Sequence, residues 1–153
     1  MKLIRDKVNE QGEIRYTMTS RSTVSGETVQ DKYIVETSNA TADAHSCTLQ
    51  VDARMLLNGR TQVQGRPVVQ FRNITSVAVK TQSQAIEEKT AQAGVTQWKG
   101  KITPESYIVQ AFQSDALSGM FFFREKETAI LVAKNTSRVI ELCGGKKGVF
   151  LVN

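Results

Sequence analysis

Apolar and polar residues alternate along most of the first half of the chain. From Gly12 to Ser20, Ile14, Tyr16 and Met18 stand between Arg15, Thr17 and Thr19, the period of two that predicts a strand with one wet face. Ser25-Gly26-Glu27 supplies a turn, and Val29, Tyr33 and Val35 restart the alternation with Asp31 as its polar interruption, so a hairpin is expected. After the polar stretch SNATADAHS, Cys47, Leu49, Val51, Ala53, Met55 and Leu57 occupy every second position, the clearest strand in the chain. Asn58-Gly59 then suits a tight type I′ turn, because both central residues need positive φ, and should reverse the chain into Arg60 to Gln64. Gly65-Arg66-Pro67 breaks the run, and VVQFR and ITSVAVKT read as two further strands.

From Thr81 to Ala93 the composition shifts to Ala, Gln, Glu and Lys, which predicts a short helix near 83–93, capped by Thr81 or Ser83 and ended by Gly94. SYIVQAF and GMFFF return to strand composition around the polar loop QSDALS. In Glu125 to Cys143, residues Ala129, Val132, Ala133, Thr136, Ile140 and Cys143 fall at helical spacing, behind acidic residues and ahead of Gly144. Two strands, TAILVA and RVIEL around Lys134-Asn135, are the competing reading; the segment's length and both its ends favour one helix over 125–143. The following Gly144-Gly145-Lys146-Lys147-Gly148 is no phosphate loop, since its glycines come after the helix, at the negative end of its dipole. Residues 1–11 are an N-terminal arm in this reading, 12–123 mostly strands, and 144–153 a tail or added strand.

At 153 residues the chain fits a single domain with a core of its own. The net charge of +5 comes from lysines and arginines spread over the whole length, the densest pairs being Lys99 with Lys101 and Lys146 with Lys147, so the charge reads mainly as solubility. No apolar run approaches the ~20 residues of a membrane-spanning helix, and MKLIRDKVNEQGE turns charged before an export signal could form. A cytoplasmic location is the default expectation; a mature exported domain behind a start methionine fits the same residues. Cys47 and Cys143 suit free thiols in a reducing compartment or a single bridge in an oxidising one. The Asn-x-Ser/Thr triplets at Asn39, Asn73 and Asn135 gain meaning only with secretion.

About seven strands followed by one amphipathic helix, with MFFFREKETAILVAKNTSRVIELCGG as the closing strand and helix, resembles the pleckstrin-homology-like barrel. The resemblance implies a mainly β (α+β) fold, a bent antiparallel sheet or barrel with the helix plugging one open end. The family's lipid-binding members carry a basic signature between the first two strands; here that hairpin, TSRSTVSGETVQ, holds Arg21 alone, so phosphoinositide binding does not carry over. Many such barrels are protein-binding or structural modules.

Catalysis has little to work with. Asp43, His45 and Cys47 alternate around the chain's only histidine and could begin a metal site or activate a thiol, yet a metal would want further ligands, and side chains two apart on a strand stand too far apart for a Cys-His pair. The carboxylate pairs Glu87 with Glu88 and Glu125 with Glu127 sit in polar surroundings suited to ionised surface groups. In TQWKGKITPESY, Trp98, Lys99 and Lys101 could grip an anionic partner, against the alternative of Trp98 folded back as a core anchor; Phe121-Phe122-Phe123 reads as packing. The expectation is a non-enzymatic binding or structural module with no cofactor and no metal. It would engage a protein partner at a sheet edge or in a groove between sheet and helix. The alternatives are a binder of nucleic acid or lipid headgroups through Trp98, Lys99, Lys101, Lys146 and Lys147, and an enzyme or metal site at Asp43, His45 and Cys47.

Overall fold

Residues 1–11, expected as an arm, contain helix α1 (Lys2–Gln11) in the computed structural model, which describes residues 1–21, 24–94, 98–145 and 149–152. Ile4 and Val8 stand one turn apart on the same face and are fully buried, so tertiary packing holds a short, highly charged helix that local propensity would not. Asn9 fastens it to the sheet: its Nδ2 donates to the Ala40 carbonyl (3.2 Å) and its Oδ1 accepts from the Ala40 amide (2.8 Å).

Strands β1 (Glu13–Arg21), β2 (Thr28–Asp43), β3 (Thr48–Leu57) and β4 (Arg60–Gly65) form an antiparallel meander, extended beyond β1 by the short β7 (Lys101–Thr103). The far end of β3 pairs instead with β5 (Val68–Gln70). Asn9 meets β2 where its register slips between Ser38 and Thr41, so a side-chain amide serves the backbone that the bulge frees. Asn58-Gly59 makes the expected reversal, with φ of 50° and 81°, bringing Leu57 opposite Arg60.

The strand expected over VVQFR stops after Gln70; Phe71–Asn73 is a 3-10 turn that drives Phe71 into the core and leads to a second sheet. That sheet holds β6 (Ser76–Thr81), β8 (Tyr107–Gln113) and β9 (Ala116–Phe123), with β10 (Val149–Val152) parallel to β6. Helix α2 (Gln82–Gln92) starts at a reciprocal cap, in which the Gln84 amide donates to Thr81 Oγ1 (3.1 Å) and the Thr81 amide to Gln84 Oε1 (2.8 Å). Helix α3 (Lys126–Leu142) is continuous across Lys134-Asn135 and buries Ala129, Val132, Ala133, Thr136 and Ile140 as the spacing predicts, with Val139 beside them. Gly144, at φ 82°, ends it.

The protein is thus mainly antiparallel sheet with a C-terminal helix, but the expected seven-strand barrel is not what forms: ten strands, among the described residues, lie in two sheets that do not close. The physical reason is what fills the interior. Ile4 and Val8 of α1 and Val132 and Ile140 of α3 share one core with Leu49 and Val51 of the first sheet and Val77, Val109, Phe121 and Phe123 of the second. Such side chains contribute ~1.5–3 kcal/mol each when fully buried, and helices occupying this space leave the two sheets no continuous ladder. A second, smaller core of Ile14, Tyr16, Val35 and Ile102 lies under the lower half of the first sheet, covered by Ile86, Trp98 and Phe122. The three phenylalanines therefore split: Phe121 and Phe123 enter the main core and Phe122 the other. At one point the sheets touch closely, since a Cβ on Gly119 of β9 would lie 2.7 Å from a methyl of Val69 on β5.

Candidate functional site

Asp43, His45 and Cys47 share a turn but make no reactive cluster. Asp43 Oδ1 accepts from the His45 amide (2.9 Å) and the Ser46 amide (3.3 Å), and these N–H groups, Ser46 foremost, pull its carboxyl below the usual range. His45 is exposed, and the Cys47 sulfur is bonded to Cys143 with the two Cα atoms 6.0 Å apart. The turn thus presents Cys47 to the end of α3. Glu87, Glu88, Glu125 and Glu127 are all exposed, Glu88 paired with Lys80.

Of the five residues expected to bind, Lys146 and Lys147 lie outside the described residues. Trp98 is half-buried against the smaller core, where its ring lies over Gly100, leaving no room there for a side chain. Lys99 is exposed in the following loop, and Lys101 is exposed on β7. Tyr16, stacked on Tyr33 with ring centroids 5.0 Å apart, belongs to the same core. Burial pushes its hydroxyl up to about 12, against the opposing pull of a hydrogen bond with Gln82.

Two outward faces remain. On the first sheet, side chains alternate, so Arg15, Thr17, Thr19 and Arg21 of β1 point away from Tyr16 and the core. Pairing sets Lys32 beside Thr17 and Thr103, and Lys101 beside Thr19, all on this outer face. Its upper rows are neutral by pairing: Arg15 with Glu13, Arg54 with Glu36 (2.7 Å) and Arg66 with Asp52 (2.6 Å). Its lower rows hold Arg21, Lys32 and Lys101, and among the described residues no carboxylate lies within ion-pair distance of them. A shallow depression of about 300 Å³ adjoins them, lined by Thr17, Lys32, Ile34, Thr103 and Pro104 among others. Lys101 was visible in the sequence; Arg21 and Lys32 join it only once the hairpin register is known.

On the second sheet the face turned away from α3 is apolar. Register sets Ala78, Gln110 and Met120 in one row and Phe112 beside Leu117 in another; Leu117 is 50% and Met120 37% exposed. Lys80 stands 5.7 Å from the Phe112 ring centre and pairs with Glu88 of α2 at the rim. Gln110 is buried, and its Oε1 has no hydrogen-bond partner among the described residues. A glutamine inside the otherwise apolar run YIVQAF is the sequence signal that marks this position.

Compared with known proteins, the chain matches no family model, no curated protein and no solved structure. No helix among the described residues is long and apolar enough to cross a membrane.

Proposed function

We propose that this protein is a non-enzymatic binding module that engages another protein along β9, in a fold of pleckstrin-homology-like kinship. Strands closing in a helix that packs on the sheet support the kinship; helix α1 and the open sheets depart from it.

The observation that carries the binding reading is the state of β9. It is an edge strand of its sheet, pairs only with β8 among the described residues, and apart from a bulge at Ser118 holds neither charge nor proline from Ala116 to Phe123. Sheet edges left this way accept a further strand. Of the first sheet's edges, β4 starts with Arg60 and is followed by Arg66, and β7 is three residues long with Lys101 at its start and Pro104 after it; the second sheet's opposite edge is the four-residue β10. Leu117 and Met120 would supply apolar contact to an added strand.

A photo-crosslinking residue at position 117, with position 89 on the exposed side of α2 as control, tests this in extract of the native cells. A discrete heavier adduct from position 117, absent from position 89 and lost with Met120→Lys, is the expected result. Equal labelling at both positions, or none at 117, sinks the reading.

A further inference from the structure

We propose that the lower half of the first sheet's outer face binds an extended acidic peptide, through Arg21, Lys32 and Lys101. The inference stands apart from the preceding one, because it uses the other sheet and a different chemistry.

The three cations come from three strands yet fall in three successive rows. Lys32 lies in the row of Thr17 and Thr103, Lys101 in the row of Thr19 and Gln30, and Arg21 in the row of Thr28. Rows on one face of a strand are two residues apart, ~6.7 Å at a rise of ~3.3–3.4 Å per residue. An extended peptide repeats its same-side residues at that same interval, so carboxylates at alternate positions meet one cation per row. Strand spacing of ~4.8 Å keeps β2 and β7 within side-chain reach of a peptide lying along β1.

Charge complementarity selects the occupant. The arginines of the upper rows are already paired with Glu13, Glu36 and Asp52, so the unsatisfied positive charge is confined to the lower rows. Asp31 stands opposite Met18 and so faces the other side of the sheet, where Asn58 Nδ2 donates to it (3.1 Å). Arg21 is oriented by its Nε, which donates to the Gly26 carbonyl (3.0 Å) in the hairpin turn. Between the cations, the hydroxyls of Thr17, Thr19 and Thr103 offer donors to carboxylate or backbone oxygens. Nucleic acid fits less well, since both tyrosines of these strands turn inward and leave no ring here on which a base could stack. A membrane surface fits less well too, because the exposed leucines Leu117, Leu131 and Leu142 lie elsewhere and, among the described residues, the hairpin turn after Arg21 adds only the small side chain of Val24.

The test is fluorescence anisotropy at moderate salt with two labelled nine-residue peptides of identical composition. One carries four glutamates at alternate positions between Thr and Val; the other carries the four in a block. An oligo-dT strand and vesicles containing phosphatidylserine are the competing probes. Single exposed ion pairs are weak, but three acting together should give the alternating peptide ~10-fold tighter binding than the block peptide. Joint replacement of Arg21, Lys32 and Lys101 by Gln should abolish that preference, whereas Arg15→Gln with Arg54→Gln should change it less than ~2-fold. All these side chains are exposed, and circular dichroism melts of each variant confirm folding. Equal affinity for the two peptides, no binding of either, persistence of the preference in the triple variant, or tighter binding of oligo-dT or vesicles would each overturn the proposal.

Discussion

The outward faces of the two sheets are built from the same alternation but filled oppositely. On the first sheet the outer positions hold Arg, Lys, Glu and Thr around Ile34 and Leu56, and its edges are short or charged. On the second they hold Phe112, Leu117, Met120 and a buried glutamine, ending in the uncharged edge β9. Since inward positions are mostly apolar on both, Asp31 at the hairpin end being an exception, core formation places little demand on this contrast. What it teaches is that the first sheet meets its surroundings with charge and hydroxyls, while the second meets them with apolar side chains beside a buried amide.

Three experiments would break or sharpen that contrast. The largest effect belongs to the link between the sheets: Cys47 directly precedes β3 of the first sheet and Cys143 caps the helix that packs on the second. Cys47→Ser with Cys143→Ser should lower unfolding stability by ~2–4 kcal/mol, read from urea midpoints; a loss under ~1 kcal/mol would mean that the shared core alone couples the sheets. Next, Gln110→Leu removes an amide whose oxygen is buried without a partner, and should stabilise the free protein by ~1 kcal/mol. If the second face is complete as it stands, with water satisfying Gln110, the substitution will be neutral or destabilising.

The smallest effect is a pH dependence beneath the first sheet. The Tyr16 hydroxyl is raised from the ordinary 10.0 to about 12 in the folded protein. The unfolded chain therefore loses this proton first, so the stabilisation is whole below pH 10 and fades as pH rises toward 12. Thermal midpoints should fall over that interval, and Tyr16→Phe should flatten the fall. An unchanged slope in that variant would show that solvent reaches the hydroxyl and that this core is not as closed as its partner.

The sequence was most legible where one pattern decides one element. The alternation from Leu49 to Leu57, the Asn58-Gly59 reversal, and the helical spacing of Ala129, Val132, Ala133, Thr136 and Ile140 each carried through to the structure. Helix α1 was not legible, because Ile4 and Val8 are only two anchors in a charged segment and its hold on Ala40 is made 31 residues away. Barrel closure failed as an expectation for a related reason: strand patterns do not say that two helices will take the space between sheets. The binding candidates show the same limit. Lys99 and Lys101 stand out as neighbours in sequence, whereas Lys101, Arg21 and Lys32 become neighbours only through the register of three strands.

The bridge between Cys47 and Cys143 has a mechanical consequence. A pull on the two ends of the chain passes through the sulfurs and bypasses everything between them, including β3, the whole second-sheet meander and α3. The cysteines are 96 residues apart, so ~320–350 Å of chain, at ~3.3–3.6 Å per residue, stays slack under tension until the bond is reduced. Tension reaches α1, β1 and β2 on one side and β10 on the other, and both surfaces of the second sheet built from β8 and β9 lie inside the shielded ring.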